Sequence, residues 1–251
     1  HAFPVVNRQY WYFTAYTVLF FLMPMLNSFV RVSSKKRLTK FVLAFFLIFS
    51  LYGTVSALIG NDAFVLGNGY SAIWLAYLYF VGAWIKKNKI TDKIKTWYAV
   101  FLLLFFNLIN YVLIVFSKET LVLGIFTYVN PLLVGMAICW VVIFSKMKFR
   151  KSTAGMISFF APSAFGVYLL HTQDYIWNAF IVNQWMFTLN NPIWLFPFIV
   201  LGWAFVIFAV SIVIDKIRFY LFELIRVQKM SEKISRVIEK IISRFVEFFE
   251  E

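Results

Sequence analysis

The sequence has few of the residues that build disulfide bonds and metal sites. It contains one cysteine, Cys139, and two histidines, His1 and His171, among 251 residues. A lone cysteine inside an apolar stretch forms no disulfide bond within the chain, and there is no pair of His or Cys at metal-ligand spacing. A Gly-rich phosphate loop and a GxSxG nucleophile motif are also lacking. The sequence therefore predicts no metal site and none of these soluble-enzyme sites.

Apolar and aromatic residues are abundant instead. The chain is 62% hydrophobic, with 32 Phe, 13 Tyr and 9 Trp, which exceeds what a soluble core of this size can use. Because a helix needs roughly 20 residues to cross a bilayer, the pattern predicts an all-α, polytopic transmembrane helix bundle of about seven spans. The predicted spans are Tyr10 to Val30, Phe41 to Gly60, Val65 to Ile85, Trp97 to Phe116, Thr120 to Phe144, Ile157 to Val182 and Ile193 to Ile214.

Basic residues are concentrated in every second loop. The segments Arg31 to Lys40, Lys86 to Lys95 and Lys146 to Lys151 carry net charges of +5, +4 and +4, whereas the loops between them carry −1 or 0. The positive-inside rule places the basic loops in the cytoplasm. We therefore predict a multi-pass protein of the cell membrane with its amino terminus outside and its carboxyl terminus cytoplasmic. Topology and the anionic inner leaflet account for the net charge of +13, so nucleic-acid binding is not indicated.

The chain divides into a membrane domain, residues 1–225, and a tail, residues 226–251. In the tail, apolar residues such as Ile234, Ile238 and Ile241 recur at helical spacing opposite basic ones. This pattern predicts an amphipathic helix on the cytoplasmic membrane surface. A dimerising helix pair in a homodimer is the alternative, although the stripe lasts too few heptads to favour it.

One predicted span is rich in polar residues. Tyr168, His171, Asp174 or Tyr175, and Asn178 follow one another at spacings of three and four, which places them on one face of a continuous helix. Ionisable residues inside a span are costly and are functional candidates by default.

The pair His171 and Asp174 fits acid–base chemistry. A carboxylate three residues away could fix the imidazole tautomer and raise its basicity, as a general base acting on a hydroxyl requires. We therefore name His171, Asp174 and Tyr168 as candidate catalytic residues. The alternative is a buried His and Tyr pair that joins helices by hydrogen bonds.

Three further residues are candidates for substrate binding: Arg8, Tyr175 and Asn178. Arg8 precedes an aromatic run at the predicted outer interface, where it could hold an anionic or polar acceptor. A solvated arginine beside an interfacial aromatic belt is the simpler interpretation.

Two stretches resemble a known family. NRQYWYFTAYTVLFFLMPMLNSFV, residues 7–30, and SAFGVYLLHTQDYIW, residues 163–177, resemble later spans of the acyltransferase-3 membrane family, and IDKIRFYLF, residues 214–222, looks like the end of the last span. The resemblance implies an integral O-acyltransferase of about ten spans. It would move an acetyl group from cytoplasmic acetyl-CoA, the donor substrate, to a hydroxyl of a cell-surface polysaccharide, with no further cofactor.

The chain also departs from that family's pattern. The best-marked catalytic His of the family lies in its first span and has no matching position here, so the chain resembles a carboxyl-terminal part. Starting with His1 on the predicted outer side, it would follow one or three upstream spans, and three would give ten. We expect the chain expressed alone not to transfer acyl groups. If upstream spans supply the base, His171 would position the donor or the acceptor.

Two other functions fit a polytopic, aromatic-rich chain. One is a transporter of polysaccharides or lipid-linked sugars, although such proteins usually show internal repeats and none is evident here. The other is a non-catalytic membrane subunit.

Overall fold

A computed structural model describes residues 10–116, 127–182, 186, 191–233 and 236. These residues form helices and connecting turns without a strand, which confirms the predicted all-α class. The chain divides into two compact units, His1–Lys148 and Phe149–Glu251.

The helices of the first unit begin where the sequence supplies capping groups. The Ser34 hydroxyl accepts from the N–H of Arg37, and the Ser71 hydroxyl accepts from the N–H of Trp74, each at 3.2 Å. The helices are α1 (Trp11–Val32), α2 (Lys35–Leu58, π-helical over Phe46–Tyr52), α3 (Ala72–Lys87), α4 (Ile90–Lys93), α5 (Thr96–Phe116) and α6 (Pro131–Lys146).

The core of this unit lies around α3. Leu38 on α2 and Trp74 and Tyr77 on α3 are buried, and α1 packs against the same helix. Helices α5 and α6 form a second contact, in which Gly135 lies so close to the Phe106 ring that an added Cβ would stand 2.7 Å from it. Glycine at 135 therefore lets the Phe106 ring of α5 pack directly on α6.

The second unit is built from two long helices and a broken one between them. Helix α7 (Lys151–His171) contains a 3₁₀ turn, Ala161–Ser163, at Pro162. Helix α8 (Asp174–Ile176) continues as a π-helical turn, Trp177–Ile181. Helix α9 (Phe196–Leu224) follows a 3₁₀ turn, Ile193–Leu195, and packs against α7.

Five of the described helices are long and apolar enough to cross a membrane: α1, α2, α5, α7, and α9 with its preceding turn. Large apolar side chains on them are exposed, such as Phe21 at 73% and Phe116 at 83%, as expected of surfaces that face lipid. Helices α3 and α6 are shorter, at 16 residues each, and occupy two further predicted spans. The arrangement is compatible with about seven spans.

Several predicted boundaries are wrong. Helix α3 begins at Ala72 rather than near Val65, because Gly67–Gly69 forms a 3₁₀ turn in which Asn68 has φ 56°. Helix α6 begins at Pro131, where the missing proline N–H costs nothing, whereas the predicted span began at Thr120. Residues 117–126 lie outside the described part. Helix α9 continues past the predicted end at Ile214.

The two ends of the first unit differ in chemistry. At one end, Trp11, Tyr70 and Tyr128 meet. At the other, Lys87 and Lys146 donate hydrogen bonds to backbone carbonyls of Val30 and Ile94. Alternate connections of this unit thus lie at opposite ends, as the charge pattern predicts. Which end faces the cytoplasm remains a prediction.

Of the predicted amphipathic tail, residues 227–233 are helical, and residues 237–251 lie outside the described part.

Candidate functional site

His171 is the last residue of α7 and is half-buried. Its Nδ1 lies 2.8 Å from the backbone carbonyl oxygen of Val167, one turn earlier. Because a carbonyl oxygen can only accept, Nδ1 carries the hydrogen and Nε2 keeps its lone pair in the neutral ring. The helix backbone thus fixes the tautomer in which Nε2 can accept a proton.

The predicted continuous helix through this region is wrong, because α7 ends at His171. The hydroxyl of Thr172 donates to the carbonyl of Tyr168 at 2.6 Å, and Gln173 is extended, with ψ 129°. The side-chain oxygen of Gln173 then accepts from the N–H groups of Tyr175 and Ile176 at 2.8 and 3.0 Å. These polar side chains satisfy the backbone at the break and compete with a continuous helix.

The break separates residues that the spacing placed on one face. Tyr168 and His171 lie on α7, with ring centroids 6.0 Å apart, whereas Asp174 and Tyr175 lie on α8. Asp174 is exposed, and within the described residues its carboxylate forms no hydrogen bond or ion pair with His171. Val167 therefore takes the orienting role that we predicted for Asp174. A catalytic role of Asp174 stays a prediction.

The predicted substrate-binding residues are distributed differently. Tyr175 is 71% exposed. Asn178 donates from its side-chain amide to the Asp174 backbone carbonyl at 2.8 Å, so it stabilises the first turn of α8. Arg8 lies outside the described residues. The structure thus brings the Tyr168 and His171 rings together, and it places the Asn178 amide on the Asp174 backbone carbonyl. It does not bring the side chains of these four residues together in one site.

Sequence reasoning missed an ion pair beside this region. Asp215 on α9 is 5% exposed, and Arg218 one turn later donates to its Oδ1 from Nη2 at 2.7 Å and from Nε at 2.9 Å. The same oxygen presses against the backbone of Gly166 on α7. The sequence did offer one signal, because Asp215 and Arg218 stand three residues apart in IDKIR, the spacing of an ion pair on one helix. That spacing does not show that the Asp215 carboxylate is buried against another helix.

Titratable groups that could hold a metal are sparse. Among the described residues, no group of three or more His, Cys, Asp or Glu side chains converges. The groups at the end of α7 that carries His171 include its imidazole and the phenol of Tyr168, and the Asp215–Arg218 ion pair lies against the same helix.

Comparison with known proteins assigns the family. A family model described as an acyltransferase domain, that of the acyltransferase-3 family, matches residues 1–215. No curated protein and no solved structure matches the chain. The matched range covers most of the 251 residues, including α1 to α8 and the buried Asp215. The chain therefore belongs to the acyltransferase-3 family, and it is a membrane acyltransferase.

Proposed function

We propose that this protein transfers an acetyl group from cytoplasmic acetyl-CoA to a hydroxyl of a cell-surface polysaccharide. The observation that carries the proposal is the Nδ1 hydrogen bond of His171 to the Val167 carbonyl, which leaves Nε2 as a proton acceptor at the end of an apolar helix. The family supplies acyl transfer. Acetyl as the acyl group and a polysaccharide as the acceptor belong to the proposal.

In the proposed reaction the imidazole of His171 transfers a proton from the acceptor hydroxyl to the leaving thiolate. Nε2 of His171 takes the proton of the acceptor hydroxyl while that oxygen attacks the thioester carbonyl carbon. A C–O bond forms, the C–S bond breaks, and the imidazolium returns the proton to the departing thiolate. The products are an acetyl ester and free CoA. An apolar bundle suits this step, because excluded water cannot hydrolyse the thioester.

His171→Gln tests the proposal, because Gln can form hydrogen bonds but cannot act as a base near neutral pH. The variant and the wild type are expressed in a strain that lacks its own copy of the gene, and ester-linked acetate on the isolated polysaccharide is measured by NMR. General acid–base catalysis typically contributes about 10²–10⁴-fold, so we expect acetate to fall to background at unchanged membrane abundance.

Thr153→Val is the matched control, because Thr153 is exposed at the other end of α7, so the change leaves the imidazole and the helix break untouched. It should acetylate like the wild type. Full acetylation by His171→Gln would exclude His171 as the base and favour a positioning or non-catalytic role. The wild type and the variants are expressed from the full gene with any upstream spans it encodes, because the 251-residue chain alone is expected not to transfer acyl groups. If that wild type adds no acetate, the proposed reaction is wrong. The transporter alternative predicts altered export of polysaccharide rather than altered acetylation, and the family match does not favour it.

A further inference from the structure

Three aromatic side chains from three separate chain segments meet at one end of the first unit. The ring centroid of Trp11 lies 4.3 Å from that of Tyr70 in an edge-to-face contact. Tyr70 also meets Tyr128 edge-to-face, at 5.1 Å. The Trp11 and Tyr128 rings are 6.2 Å apart and only 32° from parallel. We call Trp11, Tyr70 and Tyr128 the aromatic cluster.

The carboxylate of Asp62 stabilises the loop that carries Tyr70. Asp62 accepts hydrogen bonds from the backbone N–H groups of Leu66 and Gly67 at 2.8 and 2.6 Å. Val65 and Asn68 have φ of 51° and 56°, and a β-branched residue such as Val rarely adopts this conformation. Such backbone strain persists only where the surroundings over-determine it, and it is common at functional sites.

The segment that carries Tyr128 is fixed to that loop and to α2. The N–H of Tyr128 donates to the Asn68 carbonyl at 2.9 Å. The next residue, Val129, is buried, and its carbonyl accepts from Ser50 in the π-helical turn of α2. Gly69, with φ 96°, lets Tyr128 approach, because an added Cβ would stand 2.5 Å from the Tyr128 Cβ.

The cluster nevertheless leaves aromatic surface open. Tyr70 is 47% exposed and Tyr128 is 51% exposed, so much of each side chain is available for contact. Asn68 beside them is exposed, and its side-chain amide forms no hydrogen bond with the described residues. Burial raises the pKa of the Tyr70 phenol, with smaller contributions from the charge of Tyr128 and from a hydrogen bond between the two side chains.

An ordinary interfacial belt does not explain this construction. Belt aromatics are distributed around the circumference of a bundle at headgroup level, and each can be placed by its own helix. Trp194 provides a comparison, since it is 65% exposed in the 3₁₀ turn Ile193–Leu195 that precedes α9. The aromatic cluster instead converges through a strained loop, one long-range backbone hydrogen bond and one hydrogen bond from the Ser50 side chain, which fix the rings relative to one another.

We propose that the aromatic cluster is a binding subsite for a pyranose of a polysaccharide. The face of an aromatic ring is electron-rich, and a sugar whose substituents are equatorial presents a face of C–H groups that stacks on it. Asn68 and the phenols would meet hydroxyl groups at the sugar edge. This inference rests on the proposed function for its ligand class and on the predicted orientation, which puts the cluster outside the cell.

Direct binding tests the subsite without any acyl transfer. The protein is placed in phospholipid nanodiscs free of sugar detergents, and the affinity for cellotetraose and chitotetraose is measured by isothermal titration calorimetry. We expect wild-type binding of at least one oligosaccharide and at least a fivefold loss of affinity in Trp11→Leu, Tyr70→Leu and Tyr128→Leu. Each change keeps an apolar side chain and removes the ring. Trp194→Leu is the matched control and should bind like the wild type.

A second measurement covers the case in which the leucine variants do not fold. In protein labelled with 5-fluorotryptophan, the oligosaccharide should shift the ¹⁹F resonance that is absent from the spectrum of Trp11→Phe. No binding by the wild type, or binding that shifts only other tryptophan resonances, would overturn the subsite. Because this assay contains no acyl donor, its failure leaves the proposed acetyl transfer standing. Conversely, an oligosaccharide that binds at Trp11 in a protein that never acetylates would contradict only the proposed function.

Discussion

Asp215 of α9 lies directly against the backbone of Gly166 of α7. A Cβ added at residue 166 would stand 2.2 Å from Asp215 Oδ1 and 2.5 Å from its Cγ, distances that non-bonded atoms do not reach. Gly166 immediately precedes Val167, whose carbonyl accepts from His171. The α7–α9 contact at Gly166 and the candidate catalytic imidazole of His171 therefore lie within two turns of each other on α7.

Gly166→Ala should destabilise the protein. The buried Asp215 side chain cannot yield without breaking its pair with Arg218, so the added methyl group forces the helices apart. We expect a loss of about 1–3 kcal/mol, the usual cost of overpacking, seen as a lower midpoint of thermal unfolding in detergent.

Gly155→Ala in α7 and Gly202→Ala in α9 are the matched controls, because a Cβ at either position meets no described atom within 4 Å. They should leave the midpoint unchanged or raise it slightly, since Ala is the better helix former. Equal midpoints for all three variants would show that the close approach of Asp215 and Gly166 does not constrain α7 and α9.

The two partners of the ion pair should differ in their effect on stability. Arg218→Gln leaves the carboxylate of Asp215 buried without its cation, and an unpaired buried charge costs more than the loss of a surface ion pair. Asp215→Asn leaves Arg218, whose side chain is 51% exposed and can reach solvent. We therefore expect Arg218→Gln to lower the unfolding midpoint more than Asp215→Asn does.

The double variant Asp215→Asn with Arg218→Gln separates this account from a simple loss of side-chain packing. It should resemble Asp215→Asn alone, because no buried charge remains. A double variant as unstable as the sum of the single variants would contradict the ion-pair explanation.

Lys87 should matter more for stability than its neighbour Lys86. The ammonium group of Lys87 donates to the backbone carbonyls of Val30 and Ser33 at the carboxyl end of α1, where a cation also complements the helix dipole. Hydrogen bonds to a charged group contribute about 1.5–3 kcal/mol. We expect Lys87→Met to lower the unfolding midpoint and to increase proteolysis between α1 and α2.

Lys86→Met is the control, because Lys86 is exposed and forms no hydrogen bond or ion pair with the described residues. It removes the same charge from the last turn of the same helix. If both variants lose stability equally, the net charge of the segment and not the carbonyl contacts is responsible.

Most helices could be predicted from hydropathy because the need to span a bilayer is a local, length-based requirement. The predicted spans at Tyr10 to Val30 and Trp97 to Phe116 agree closely with α1 and α5. Errors arose where a turn residue, not hydropathy, decides the boundary. Asn68 takes a left-handed conformation that ends any helix from Val65, and Pro131 starts α6 because it has no N–H to contribute.

Only part of the candidate site could be predicted from the sequence, because a turn again interrupts the helix that the periodic pattern assumes. The spacing identified Tyr168 and His171 as neighbours, and they are. It also placed Asp174 and Asn178 on the same face, because a periodic pattern assumes that the helix continues. The side chains of Thr172 and Gln173 satisfy the local backbone and end it, and such competition is decided by hydrogen-bond geometry rather than by spacing.

The sequence by itself determined the all-α membrane class, the family and the alternation of basic and neutral loops, since each follows from residues close together along the chain. Only the tertiary structure decided which groups meet: Asp215 with Gly166, Lys87 with the end of α1, and Trp11 with Tyr70 and Tyr128. These contacts join segments far apart in sequence. Their partners are selected by the packing of whole helices, which no local pattern of hydropathy or charge records.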